Sequence, residues 1–287
     1  GNGNNTVVAS SFLGIPAAGT IVNCGDGSDI IHIETPYSKT INAGGGADNI
    51  IVGITIGAGV QGSTVDAGAG DDTITASAGP DVIDLGIGDD TANSFAGEPI
   101  IMGNSGADTF LMAGASSIYT GGADNDKWRM VDQGTGAGDK EILDFANGDK
   151  IDFSLISWMT PEILANSMTI IQSPPQLLMA GGPTRENLIK YREIRHTATP
   201  VRKRRVLVSG KAIVESITKS GKKVTMDAVF KAIKPANTVG IVSSAFANPD
   251  PVPGDVLFSG PTASILIKDG AEKIANGELN SNSFIFP

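Results

Sequence analysis

Between residues 25 and 130 the apolar residues come singly or in short runs, separated by glycine and acid, and no run reaches the length of a helix. An apolar residue stands two places beyond each of Asp29, Asp48, Asp72, Asp81 and Asp90, namely Ile31, Ile50, Ile74, Ile83 and Ala92. The stretch from Ala67 to Asn93 divides cleanly into nines, AGAGDDTIT, ASAGPDVID and LGIGDDTAN. Such a beat predicts a tight turn followed by a three-residue strand in every unit, with one Ile or Val pointing inward and stacking on its neighbours. Two units then make one coil, so residues 18 apart fall on the same edge. Asp72, Asp90, Asp108 and Asp126 keep that interval, whereas Asp29 and Asp48 differ by 19 and Asp48 and Asp72 by 24, as if some coils carry extra loop residues. On the opposite edge only Asp81 is acidic, and the positions 18 and 36 residues later are Pro99 and Ser117.

After Ser157 the beat stops. TPEILANSM reads as a helix with Thr160 as its N-cap and Pro161 at the first helical position. QSPPQLLMAGGPT reads as linker and RENLIKYREIRH as a short basic helix. Beyond Pro200 the segments RRVLVSG, KAIVESIT, KVTMDAVFKAI, NTVGIVSSAFA, GDVLFSG, ASILIKDG and SFIFP read as strands, because β-branched and aromatic residues crowd them. The expected fold is mainly β. A right-handed parallel β-roll over 1–157 is followed by a helical and linker segment over 158–200. A small β-rich domain with one or two short helices closes the chain over 201–287.

Charge separates the two halves. Residues 1–160 hold 5 Lys/Arg against 21 Asp/Glu, a net of −16, and residues 161–287 hold 16 against 10, a net of +6. Cys24 is the single cysteine, so no internal disulfide can staple a glycine-rich fold whose aromatic content is only 5%. No apolar run approaches the ~20 residues of a spanning helix, so no transmembrane segment is expected. The chain opens inside a repeat unit, GNGNN, which predicts further repeats upstream.

The turns carry the candidate chemistry. Gly25-Asp26-Gly27-Ser28-Asp29, Gly44-Gly45-Gly46-Ala47-Asp48, Gly68-Ala69-Gly70-Asp71-Asp72 and Gly86-Ile87-Gly88-Asp89-Asp90 share the pattern Gly-x-Gly-x-Asp. Weaker copies end at Asp108 and Asp126. Acids stacked at strand spacing, about 4.8 Å, repel one another at neutral pH, so a cation is expected between them. Calcium suits the position, since it takes six to eight oxygens and mixes carboxylates with backbone carbonyls. Zinc would want His or Cys, and only His32, His196 and Cys24 exist. The expected metal set is therefore Gly25, Gly27, Asp29, Gly44, Gly46, Asp48, Gly68, Gly70, Asp72, Asp81, Gly86, Gly88, Asp90, Asp108 and Asp126. Asp26, Asp71 and Asp89 occupy variable positions and read as solvated, and Trp128 reads as core.

These motifs resemble the RTX, or haemolysin-type, calcium-binding nonapeptide repeat over about residues 1–155. The segment GAGDKEILDFANGDKIDFSLI, from Gly136 to Ile156, is similar to the stretch that caps the roll in secreted members of that family. The resemblance implies a parallel β-roll that folds on meeting millimolar calcium outside the cell, often after type I secretion. The loss of acid at Pro99 and Ser117 departs from the regular pattern and places most ions on one edge.

No Gly-x-Ser-x-Gly elbow, His-Glu-x-x-His helix or phosphate-binding loop is present, so an enzyme is not expected within this chain. The run Arg202, Lys203, Arg204, Arg205 sits in an acidic chain without interleaved aromatics, which argues against nucleic acid; it reads first as a solvated strand edge, with an anionic cell-surface glycan or a neighbouring subunit as the sharper alternative. The expected role is a calcium-dependent structural or adhesive module of a larger extracellular, surface-layer-like bacterial protein that self-assembles or anchors through its C-terminal part. Two other roles share these features: a virion fibre or capsid decoration, and the C-terminal tail of a secreted hydrolase or toxin.

Overall fold

Alternate strands of the first half stack into two parallel sheets. One sheet holds, in order, β1 (Thr6–Ser10), β3 (Ile30–Glu34), β5 (Asn49–Ile51), β7 (Thr73–Thr75), β9 (Thr91–Ser94), β11 (Thr109–Met112) and β13 (Lys127–Met130). The other holds β2 (Thr20–Asp26), β4 (Lys39–Gly45), β6 (Thr64–Ala69), β8 (Val82–Ile87), β10 (Ile100–Ser105) and β12 (Ser117–Ala123). Consecutive strands thus lie in opposite sheets and each coil contributes one strand to each, as in a parallel β-roll. The computed structural model describes residues 2–10, 19–53, 60–94, 97–113, 116–131, 138–171, 184–195, 206–233, 254–259 and 264–287.

Register turns the single apolar positions into columns. Ile31, Ile50, Ile74, Ala92, Phe110 and Trp128 stack in the first sheet. Val22, Ile41, Val65, Ile83, Ile101 and Tyr119 stack in the second. All twelve are buried, including the four isoleucines and Trp128 that the sequence assigned to the core. The filling changes along the roll from aliphatic to aromatic: Phe110 stacks on Trp128 at 5.6 Å and meets Tyr119 edge-on at 5.6 Å. Strands this short bury little area singly, so the stacking of coils supplies the cooperativity.

The glycine requirement is steric as well as conformational. Gly68 has φ +107°, and a Cβ there would lie 1.9 Å from the Gly44 carbonyl oxygen of the preceding coil. Only a residue without a side chain fits that approach.

The chain divides into two compact units, Gly1–Lys140 and Glu141–Pro287. Residues 141–157, read in the sequence as the end of the roll, fall in the second unit. That unit contains a four-stranded antiparallel arrangement in the order Val206–Ser209, Met168–Ile171, Asp255–Ser259, Ser264–Ile267. A parallel pair, Lys150–Asp152 with Phe284–Ile285, is also present. Its helices are α1 (Pro161–Ser167), α2 (Arg185–Arg195), α3 (Gly210–Lys219), α4 (Met226–Ile233) and α5 (Gly270–Asn276).

Helices α1 and α2 lie where the sequence placed them, and Thr160 accepts the Ile163 N–H as the cap of α1. Within 201–287 the described residues hold three α-helices, α3, α4 and α5, more than the one or two expected, and α3 and α4 replace the strands read in KAIVESIT and KVTMDAVFKAI. Ile213, Val214 and Ile217 are buried on one face of α3, and Met226, Val229, Phe230 and Ile233 on one face of α4. Spacings of three and four mark helices, and here that period overrides the β-branched composition. The strand read at 237–247, the basic run at 202–205 and His196 lie outside the described residues. Among the described residues no helix is long and apolar enough to cross a membrane.

Candidate metal centre

Six aspartates of the repeat form one column along the first edge. The backbone N–H of each donates to Oδ1 of the next: Asp29 to Asp48, Asp48 to Asp72 and Asp72 to Asp90, all at 2.7 Å. Asp90 to Asp108 at 2.9 Å and Asp108 to Asp126 at 3.0 Å continue the series. Asn5 begins it, donating its N–H to Asp29 Oδ1 at 2.5 Å. The intervals of 19 and 24 residues are thereby absorbed without breaking the column. Between successive turns a second set of bonds runs from glycine N–H to carbonyl, from Gly27 to Gly45 and Gly46 to Ala69 at 2.6 Å, then Gly70 to Ile87 at 2.7 Å.

The column faces inward, and each of the six aspartates is 0–3% exposed. Oδ1 is thus spent on the neighbouring backbone, while Oδ2 of Asp48, Asp72, Asp90 and Asp108 is buried without a hydrogen-bond partner. In the last two coils the carboxylates lie over a glycine five residues earlier. A Cβ on Gly103 or Gly121 would stand 2.2 Å from Asp108 Oδ2 or 2.0 Å from Asp126 Oδ2. The sequence reading missed these two glycines, although they break a series of larger residues in the same register: Cys24, Ala43, Ala67 and Leu85.

Burial shapes the protonation of the column. It pushes Asp72 up to about 7, Asp90 to about 6 and Asp108 to about 8, with the charges of neighbouring aspartates adding to the shift and the accepted N–H opposing it. Asp48 also moves up, for burial first and then the charge of Asp29, against the Asp29 N–H. Asp29 moves the other way. Burial raises it, but hydrogen bonds from the Asn5 N–H and amide, the Cys24 thiol and the Gly25 N–H together win. A stack of buried carboxylates with an orphaned oxygen at Asp48, Asp72, Asp90 and Asp108 is at rest only when protons or cations balance it.

Among the described residues no three His, Cys, Asp or Glu side chains converge as a metal-holding group. The donors this edge offers are oxygens, which suit a hard ion such as calcium and not zinc. The orphaned Oδ2 atoms fit that demand. Of the expected ligand set, Gly25, Gly44, Gly68 and Gly86 pair in register near the ends of β2, β4, β6 and β8, Gly27, Gly46, Gly70 and Gly88 follow in the turns that lead to the column, and Asp29, Asp48, Asp72, Asp90, Asp108 and Asp126 compose it.

Asp81 stands apart on the second edge. It is wholly buried, and its Oδ1 accepts the Ser63 N–H at 2.7 Å and the Ser77 hydroxyl at 3.0 Å, while Oδ2 accepts the Ser77 N–H at 2.7 Å. Asp26, Asp71 and Asp89 are exposed, as expected of solvated positions, yet Asp71 and Asp89 also tie coils together by accepting the N–H groups of Asp89 and Ala107. No protein-family model, curated protein or solved structure matches the chain.

Proposed function

We propose that the first unit is a calcium-clamped roll of the RTX type, serving as a structural or adhesive module of a larger extracellular bacterial surface protein. The observation that carries this reading is the first-edge column: stacked, buried aspartates whose second oxygens have no partner at Asp48, Asp72, Asp90 and Asp108. Calcium, when bound, would supply the positive charge and the tolerance for mixed oxygen ligands that such a column needs. The carbonyls of Gly25, Gly27, Gly44, Gly46, Gly68, Gly70, Gly86 and Gly88 and the carboxylates of Asp29, Asp48, Asp72, Asp90, Asp108 and Asp126 would hold it. The chain's own work is to stack these groups at a fixed rise, to keep water from them by burial, and to lock each Oδ1 on the next coil.

The location follows from affinity. Calcium sites of extracellular modules bind at roughly 10⁻⁴–10⁻³ M, so a carbonyl-rich site of this kind fills outside a cell and empties within it. Folding linked to that filling lets the chain travel unfolded and stiffen on arrival. The second unit supports assembly rather than catalysis. Lys211, Lys219, Lys222 and Lys223 are exposed on α3 and the turn after it, a basic surface suited to anionic glycan or to the acidic roll of another copy, while Lys231 on α4 pairs with Asp227 at 2.8 Å. Arg202, Lys203, Arg204 and Arg205 add to the positive charge of the sequence in this half.

Calorimetry and microscopy test the two parts separately. Calcium added to chelator-treated protein should release or absorb heat and saturate at several ions per chain; no heat at millimolar calcium defeats the clamp. Negative-stain images should show extended assemblies with calcium, and monomers in both buffers defeat the self-assembling role.

A further inference from the structure

The second edge has a column of its own, and it contains a lysine. Register sets Lys39, Ser63 and Asp81 at successive levels, since Thr40 pairs with Thr64 and Thr64 with Val82. Hydrogen bonds follow the same order: Lys39 N–H to Ser63 Oγ at 3.3 Å, then Ser63 N–H to Asp81 Oδ1 at 2.7 Å. The Lys39 side chain does not reach for solvent. It is 2% exposed, among the largest fully buried side chains of the molecule, and its Nζ donates to the Thr35 carbonyl at 2.6 Å. Lys140 is buried as well, with Nζ donating to the Gly138 carbonyl at 3.0 Å, and its neighbour Asp139 accepts the Ser117 N–H through its carbonyl.

Lysine is rarely buried without compensation, because an ammonium loses its hydration there. Burial lowers the Lys39 pKa and the charge of Asp81 opposes that fall. Burial raises the Asp81 pKa, and the Ser63 and Ser77 hydrogen bonds and then the Lys39 charge pull it back. Each is thus the other's counter-charge. The charges that push Asp48, Asp72, Asp90 and Asp108 upward come from neighbouring aspartates.

We infer that Lys39 is the built-in cation of the second edge, buried in the same hydrogen-bonded column as Asp81 and separated from it by Ser63, in the role that a divalent ion is proposed to fill beside Asp72 and Asp90. Asp81 is accordingly a charge partner of Lys39 and not a metal ligand, which reverses its place in the sequence-derived set. A calcium ion at Asp81 would meet both the like charge of Lys39 and a carboxylate whose two oxygens already accept three hydrogen bonds. The contrast with the first edge rests on the calcium reading; the pairing of Lys39 with Asp81 does not.

The test joins a double-mutant cycle to an ion count. Lys39→Met, Asp81→Asn and the pair are unfolded in urea with saturating calcium, and calcium is counted by calorimetry for wild type, Asp81→Asn and Asp90→Asn. Lys39→Met should lower the urea midpoint at least about twice as far in the presence of Asp81 as in the Asp81→Asn background, since removing one partner strands the other. Asp81→Asn should keep the wild-type ion count, and Asp90→Asn should lower it. Equal midpoint losses in both backgrounds, or one ion lost with Asp81, overturns the inference. Should Lys39→Met not fold, folding of the double variant supports the pairing; should both fail, the ion count of Asp81→Asn decides. If wild type binds no calcium, the calcium reading falls while the cycle still settles Lys39.

Discussion

Asp90 and Asp81 stand nine residues apart in one roll, both about 1% exposed or less, and yet they are neutralised by different means. Asp81 accepts three hydrogen bonds from Ser63 and Ser77 and feels the charge of Lys39. Asp90 accepts the Asp72 N–H on Oδ1, has an Oδ2 that is buried without a hydrogen-bond partner, and is pushed up by burial and by the charges of Asp71 and Asp89. One edge has a buried lysine beside its acid; on the proposed reading the other takes its cation from solution. On that reading one edge is electrostatically self-sufficient and the other responds to its surroundings.

Backbone crowding at the turns gives the largest expected effect. Gly68→Ala puts a Cβ into the Gly44 carbonyl at a φ of +107°. The backbone strain alone costs on the order of 1–3 kcal/mol, and the clash adds to it, so circular dichroism should show the roll lost at any calcium level. Ile74→Ala removes a wholly buried side chain from between Ile50 and Ala92. A loss of about 2–5 kcal/mol is expected, read by urea unfolding and alike with and without calcium.

The next two predictions separate the edges by sign. Asp90→Asn keeps an oxygen for the Asp72 N–H and discards the charge. It should stabilise the roll in chelator at neutral pH and destabilise it in calcium, whereas Asp81→Asn should destabilise it in both. Unfolding midpoints in the two buffers check this, and parallel behaviour of the two variants would erase the distinction.

The pH dependence has a definite direction too. The folded pKa values of Asp72, Asp90 and Asp108, about 7, 6 and 8, exceed the unfolded carboxylate value of about 3.9. The folded state therefore binds more protons than the unfolded one between about pH 4 and 8, and cation-free stability falls as pH rises through that window. Thermal melts in chelator should show the roll firmest near the acid end, and calcium should flatten the slope. Smallest of all, Asp71→Asn changes an exposed side chain and should stay within about 0.5 kcal/mol of wild type.

The first edge was legible because an 18-residue interval survives in Asp72, Asp90, Asp108 and Asp126, and because glycine fills turns that admit no Cβ. Lys39 was not legible. Its alignment with Ser63 and Asp81 crosses a 24-residue interval, and a lone lysine beside Tyr37 and Ser38 reads as a solvated loop residue. Gly103 and Gly121 escaped for a related reason: the motif begins one residue later, and their role appears only when the carboxylates of Asp108 and Asp126 are seen to fold back over them. In the second unit Ile213, Val214 and Ile217 carry strand-favouring side chains at helical spacing, and tertiary burial on one face decided for the helix.

The need of the first edge for an external cation is tested most directly by far-ultraviolet circular dichroism at neutral pH, recorded in chelator, then after magnesium, then after calcium. The expected result is a β spectrum whose thermal midpoint falls in chelator, stays low in magnesium and recovers with millimolar calcium. A midpoint that persists unchanged through all three would contradict it.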